Sequence, residues 1–222
     1  MKALKKLTPV AMATAMAITG MAAAPGVASA GVSYGLAVSN MYFWRGLDIS
    51  GGAPAVSGNI DYDFGNGFSV GTWASNEKGK NEEVDLYGSY AGTAGDFGYS
   101  VGYAKYTYPE NSASISDSDV NEYILKGSYK DLSLTAYINA DKKSVGDNYK
   151  YYSLDYSMGK IGFHIGKSTQ DTKSSEYTDY NVSYALTDNL TWTLSKATGN
   201  KVDGDATLKD PLVVLTYSVP LK

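Results

Sequence analysis

The sequence predicts an all-β protein, a transmembrane up-and-down antiparallel β-barrel of twelve strands with short periplasmic turns and longer extracellular loops. Three observations predict it. Period-two alternation of apolar and polar residues recurs in twelve segments, while helical periodicity is absent after residue 30. Short and long connections between those segments strictly take turns, as in outer-membrane barrels. The chain also carries 20 tyrosines and 24 glycines, residues that suit strands, turns and close backbone approach.

The first 30 residues read as a cleaved secretory signal peptide. Lys2, Lys5 and Lys6 form a positive n-region, Leu7 to Ala24 is apolar, and Ala28-Ser29-Ala30 matches the small-x-small cleavage pattern. An uncleaved membrane anchor is the competing reading, and Pro25, Gly26 and the many alanines count against it. The barrel domain is then residues 31–222. Loss of the three lysines leaves 16 basic side chains against 23 acidic ones, which argues against nucleic acid as a partner. With no cysteine there is neither a disulfide framework nor a thiolate metal site, and no cofactor is expected.

The strands follow in order. The first sets Val32, Tyr34, Leu36 and Val38 opposite Ser33, Gly35, Ala37 and Ser39. The second is the clearest, with Val56, Gly58, Ile60, Tyr62 and Phe64 alternating with Ser57, Asn59, Asp61 and Asp63. The third sets Phe68, Val70, Thr72 and Ala74 against Ser69, Gly71, Trp73 and Ser75, and the fourth Val84, Leu86 and Tyr90 against Glu83, Asp85, Tyr87 and Ser89. Phe97, Tyr99, Val101 and Tyr103 carry the fifth, and Tyr123, Leu125 and Tyr129 carry the sixth across from Glu122, Lys126 and Ser128. The seventh rests on Leu132, Leu134, Ala136 and Ile138, the eighth on Tyr152, Leu154, Tyr156 and Met158 across from Asp155, and the ninth on Ile161, Phe163 and Ile165 across from His164. Tyr180, Val182 and Tyr184 oppose Asp179 in the tenth, Leu190, Trp192 and Leu194 form the eleventh, and Val213, Leu215, Tyr217 and Val219 the twelfth.

Five connections are tight: Gly65 to Gly67, Thr93 to Asp96, Lys130-Asp131, Gly159-Lys160 and Leu186 to Asn189. Six are longer and polar: Met41 to Ala53, Asn76 to Asn81, Tyr108 to Asp119, Ala140 to Asn148, Thr169 to Glu176 and Thr198 to Asp210. An even strand number returns both termini to one side.

Alternation alone does not separate a soluble barrel from a membrane one. The apolar faces hold no ionisable side chain at mid-strand, where a charge facing lipid would cost roughly 2–4 kcal/mol. Phe64, Phe68, Tyr90, Phe97, Tyr129, Tyr156, Tyr184 and Trp192 flank the tight turns on the apolar side, as an interfacial aromatic girdle would. Both features place the apolar face in the lipid of a Gram-negative outer membrane. Lys105, Lys150, Lys167 and Lys196 continue that face at the loop-side strand ends, where they either meet lipopolysaccharide phosphates or simply solubilise the rim.

The lumen-facing ionisable set is then Asp61, Asp63, Glu83, Asp85, Glu122, Asp155 and Asp179, with Lys126 and His164. Seven acids against one lysine point to a channel that prefers cations and passes small polar solutes or ions. The alternative is a plugged, non-conducting barrel with a structural or adhesive role. Arg45, in the first long loop, has two open readings: an inward constriction or an ion pair within the loop. An outer-membrane lipase would need a lipid-accessible base, and the one histidine, His164, is on the polar face, so no enzyme is expected. Ser116-Asp117-Ser118-Asp119 and Asp203-Gly204-Asp205 lack the spacing of a calcium loop and read as solvated charge.

Several stretches resemble the TorF family of porins: Tyr42-Phe43-Trp44-Arg45-Gly46, Ala53-Pro54-Ala55, Gly71-Thr72-Trp73-Ala74-Ser75-Asn76, Glu83-Val84-Asp85-Leu86-Tyr87-Gly88 and Tyr106-Thr107-Tyr108-Pro109. The resemblance is spread over most of residues 31–222 and is strongest from Gly31 to Pro109. It implies an outer-membrane barrel with a transport role. The sequence departs from the usual aromatic C-terminal residue of such barrels, ending Val219-Pro220-Leu221-Lys222. Neither the solute nor the oligomeric state is written in these residues.

Overall fold

The computed structural model describes residues 30–76, 82–109, 120–140, 148–203 and 209–221. Strand β1 (Gly31–Ser39) is followed by a small hairpin of β2 (Phe43–Trp44) and β3 (Leu47–Asp48). Next come β4 (Ala55–Asp63), β5 (Phe68–Asn76), β6 (Glu82–Ala94), β7 (Phe97–Thr107) and β8 (Val120–Tyr129). The chain continues through β9 (Leu132–Asn139), β10 (Lys150–Met158), β11 (Ile161–Thr169), β12 (Tyr177–Ala185), β13 (Leu190–Thr198) and β14 (Leu212–Ser218). Lys173–Ser175 is a 3₁₀ turn and α1 (Asn200–Asp203) a single helical turn. The twelve strands other than β2 and β3 pair antiparallel with their neighbours in sequence, and β14 closes on β1. The fold is therefore a closed up-and-down barrel of twelve strands.

Closure is uneven along its length. β1 pairs with β4 from Gly31↔Asp63 to Ser39↔Ala55, but with β14 only from Ala37↔Ser218 to Ser39↔Thr216. Asn40 lengthens this seam: its Nδ2 donates to the Val213 carbonyl at 2.9 Å and its Oδ1 accepts from the Leu215 N–H at 2.8 Å. The Val219 N–H adds one bond to the Leu36 carbonyl at 2.8 Å, after which Pro220 has no N–H to offer.

The apolar faces point outward on every barrel strand. Leu134 is 58% exposed and Leu86 56%, whereas inward Ser57 and Glu83 are buried. A polar interior with this apolar exterior is what a barrel in hydrocarbon requires. At the turn end, aromatics pair across strands: Phe68 with Tyr90 and Phe97 with Tyr129, both at 4.7 Å between ring centroids. Such pairs contribute about 0.5–1.5 kcal/mol beyond their area.

The tight turns behave as their residues predict, with one shift. Gly65 and Gly67 adopt positive φ, and Lys130 takes a left-handed φ of 52° in the β8–β9 turn. The β6–β7 turn is shorter than Thr93 to Asp96, because Thr93 and Ala94 remain in the ladder opposite Gly98 and Phe97. Long loops lie at the other end, and the first of them folds back into the barrel. The segment up to residue 29, where the sequence predicts a signal peptide, the acidic run Ser116–Asp119, the Gly204-Asp205 pair and residues 77–81 and 141–147 lie outside the described residues.

Candidate functional site in the lumen

The inward loop begins with its own geometry. Arg45 and Gly46 have φ of 47° and 81°, the two positive values that a two-residue type I′ hairpin needs between Trp44 and Leu47. Holding Arg45 there costs on the order of 1 kcal/mol, so something else must fix it. Gly46 is required for a second reason: a Cβ would collide with the Asp179 side chain on β12. The loop closes on itself through Tyr42, whose N–H donates to Ser50 Oγ at 2.9 Å and whose carbonyl accepts from the Ile49 N–H at 3.0 Å. Asp48 accepts from the Ser50 N–H at 2.9 Å and the Gly52 N–H at 2.6 Å, which turns the chain back toward β4.

Arg45 fixes the hairpin to the wall. Its guanidinium donates to both oxygens of Glu122 on β8, at 2.8 and 2.6 Å, and to the Tyr149 hydroxyl oxygen at 3.0 Å. The same group lies 4.4 Å from the ring centroids of Trp44 and Tyr137 and 4.9 Å from that of Tyr151. Tyr106 completes Glu122 by donating to Oε2 at 2.8 Å. Burial works against the charge on Arg45, but the Glu122 carboxylate more than offsets it and raises the pKa above the usual guanidinium value. On the other flank Tyr42 donates to Glu83 on β6 at 2.7 Å and packs its ring 5.8 Å from Trp73. Leu47 packs with Tyr177, Ala197 and Val202 across the lumen. The hairpin thus bridges opposite walls and occupies the loop-side half of the lumen.

Of the remaining sequence-predicted lining residues three come together and the others lie elsewhere on the wall. Asp155, His164 and Asp179 meet on the β10–β12 wall: His164 Nδ1 is 2.6 Å from Asp155, and Nε2 is 3.1 Å from Asp179 and 2.9 Å from the Tyr151 hydroxyl. Tyr151 donates to Asp179 at 2.8 Å and lies across Gly166, where no Cβ would fit. Asp61 accepts from Tyr87 at 2.5 Å and from the Asn59 amide. Asp63 sits lower and accepts the Gly65 N–H at 2.6 Å, so it braces the turn. Asp85 is buried on the inward face of β6, and Lys126 is half-buried on the inward face of β8 beyond Ile124. Below the hairpin the wall is lined by small hydroxyls, such as the Ser69–Ser89 pair at 2.9 Å and the Ser183–Thr193 pair at 3.0 Å. Among the described residues no group of three His, Asp or Glu side chains suits a metal ion.

Lys105, Lys150, Lys167 and Lys196 are all on the outer face at the loop end. Lys167 lies 4.0 Å from Glu176, and Lys196 donates to the Lys209 carbonyl.

The sequence reading missed the aromatic shell around Arg45. Tyr106, Tyr151 and Tyr177 lie one or two residues beyond the loop-side ends of the alternating segments, and Tyr149 lies in the loop before β10. The available signal was parity: Tyr151 shares its side of β10 with Ser153 and Asp155, so it is a large ring on a polar face.

The family described as "Bacterial protein of unknown function (Gcw_chp)" matches residues 23–211. No curated protein matches this sequence. Among solved structures, the KdgM porin is similar with a TM-score of 0.51 at 13% identity, covering 86% of this chain and 100% of that one. The KdgM porin in complex with disordered oligogalacturonate gives the same values. The outer membrane phospholipase A from Escherichia coli is similar at a TM-score of 0.46 and 9% identity, covering 83% of this chain and 90% of that one.

Proposed function

Because the chain belongs to the Gcw_chp family, whose function is unknown, its role must be argued from its own lumen, and we propose a porin of the outer membrane. It is a narrow passive channel for small polar solutes or ions with a mild cation preference. The observation that carries this reading is the wall: carboxylates of Asp61, Glu83, Asp85, Glu122, Asp155 and Asp179 all face inward and are buried or half-buried, against Arg45, Lys126 and His164. Acidic rings in a channel select cations. An oligogalacturonate is a chain of carboxylated sugars, so a wall of this sign suits the opposite charge.

The hairpin at Arg45 is the constriction. It fills the loop-side half, while small hydroxyl side chains line the wall below it. That asymmetry supports a low conductance. It also supports a second reading, a barrel closed at rest in which the hairpin is a plug. Planar-bilayer recordings under a salt gradient separate the two. The porin reading expects small steps whose reversal potential has the sign of cation preference. A silent wild-type barrel whose Arg45→Ala variant conducts favours the plug, and anion preference defeats the porin reading as stated. The four outer lysines complete the proposal, meeting lipopolysaccharide phosphates at the headgroup level with their stems on the apolar belt.

A further inference from the structure

We propose that the inner wall of β7–β10 is a binding site for a planar organic cation of the guanidinium class, and that Arg45 fills it as an internal stand-in for that ligand. This deepens the cation-channel reading above by naming a substrate class, but the site itself is argued from the cage alone.

The cage has two halves of different character. Its wall half comes from consecutive barrel strands: Tyr106 on β7, Glu122 on β8, Tyr137 on β9 and Tyr151 on β10. These positions are set by the hydrogen-bond ladder. Tyr137 and Tyr151 are direct cross-strand partners with ring centroids 6.0 Å apart, and Ile124, two residues along from Glu122, pairs with Tyr137. The occupying half is one side chain, held at the tip of a two-residue turn in a left-handed backbone conformation.

The chemistry of the wall half selects its ligand. A carboxylate that takes two parallel N–H bonds, at 2.8 and 2.6 Å, matches the fork of a guanidinium. The wall rings of Tyr137 and Tyr151, at 4.4 and 4.9 Å from the guanidinium carbon, suit a flat, weakly hydrated cation over a compact ammonium. Tyr106 is the other donor to Glu122 among the hydrogen bonds of the cage. If the hairpin swings out, the buried Glu122 carboxylate loses its cation, a state that buried ion pairs resist strongly. A permeating guanidinium that enters as Arg45 leaves restores the bonds to Glu122 and the contacts with the wall rings of Tyr137 and Tyr151; the Trp44 contact leaves with the hairpin.

The test is chemical rescue in the purified, refolded barrel, read as thermal stability by loss of heat-resistant mobility on electrophoresis. Arg45→Ala removes the internal guanidinium and leaves room for N-ethylguanidinium, the matching fragment. N-ethylguanidinium at low millimolar concentration should raise the melting temperature of Arg45→Ala by about 3 °C or more. Ethylurea, flat but neutral, and ethylammonium, charged but compact, should give less than half that shift. The Arg45→Ala/Glu122→Gln double variant should respond to none of the three. If Arg45→Ala does not refold in plain buffer, the same series is read as refolding yield, with the same order expected. Equal responses to all three probes, no response to any, or an undiminished response in the double variant would overturn the proposal and leave Arg45 a structural latch. None of these readouts depends on conductance, so a barrel that binds the probe and carries no current would defeat the porin reading and leave this one standing.

Discussion

Arg45 concentrates the energetics of the lumen in a single side chain. Removing one partner of a buried ion pair leaves the other uncompensated, so Arg45→Ala and Glu122→Ala should each destabilise the barrel by about 3–5 kcal/mol, measured by urea titration in lipid vesicles. Replacing both with apolar residues should cost less than either single change. A smaller substitution tests the close approach on the far wall. Gly46→Ala must move the hairpin off Asp179 or leave the type I′ geometry, and it should raise single-channel conductance without altering the apparent mass of the folded barrel. Arg45 is legible as a candidate because it is the one basic residue of its loop, and the structure pairs it with Glu122 on the barrel wall and not with a residue of that loop. Its partner could not be read from sequence. Glu122 is 77 residues away, and only the closure of the barrel brings β8 opposite the first loop.

At the scale of elements, the strands were legible because the period of two is enforced by solvent. Hydrocarbon on one side and a polar lumen on the other leave a sharp pattern wherever the strand crosses the membrane. Strand ends are less legible, since near the loop end the inward face turns aromatic while the outward face turns polar, as at Tyr106 between Lys105 and Thr107 and at Tyr177 beside Thr178. The β2–β3 hairpin was not foreseen at all, because two residues per strand are too few to show alternation. Its closure relies on Asp48, Ser50 and the positive φ of Arg45 and Gly46. Deleting the segment between Met41 and Ala53 and bridging with glycines should widen the channel, seen as a several-fold increase in conductance and faster swelling of liposomes in small sugars. The outer lysines make an independent prediction. Changing Lys105, Lys150, Lys167 and Lys196 together to Gln should weaken binding of lipopolysaccharide to the detergent-solubilised barrel, and unchanged binding would reduce them to rim solubility.

For the molecule as a whole, export and assembly follow the same logic. We propose cleavage after Ala30, so intact mass of the membrane-extracted protein should correspond to residues 31–222. The short β1–β14 seam, stapled by Asn40, is the place where the closed barrel is least paired. Asn40→Ala removes two of its hydrogen bonds and should lower the melting temperature by a few degrees, without touching the lumen.

The most direct measurement concerns which face meets lipid. The chain has no cysteine, so single cysteines can be placed in turn from Leu132 to Asn139 along β9 and spin-labelled in reconstituted vesicles. Collision with oxygen, which concentrates in hydrocarbon, should peak at Leu132, Leu134, Ala136 and Ile138. Collision with a water-soluble nickel chelate should favour Ser133 and fall toward Tyr137, where the hairpin fills the lumen. Oxygen peaks at Ser133, Thr135 and Tyr137 instead, or no alternation along the strand, would contradict a barrel with its apolar face outward and its carboxylates around a polar lumen.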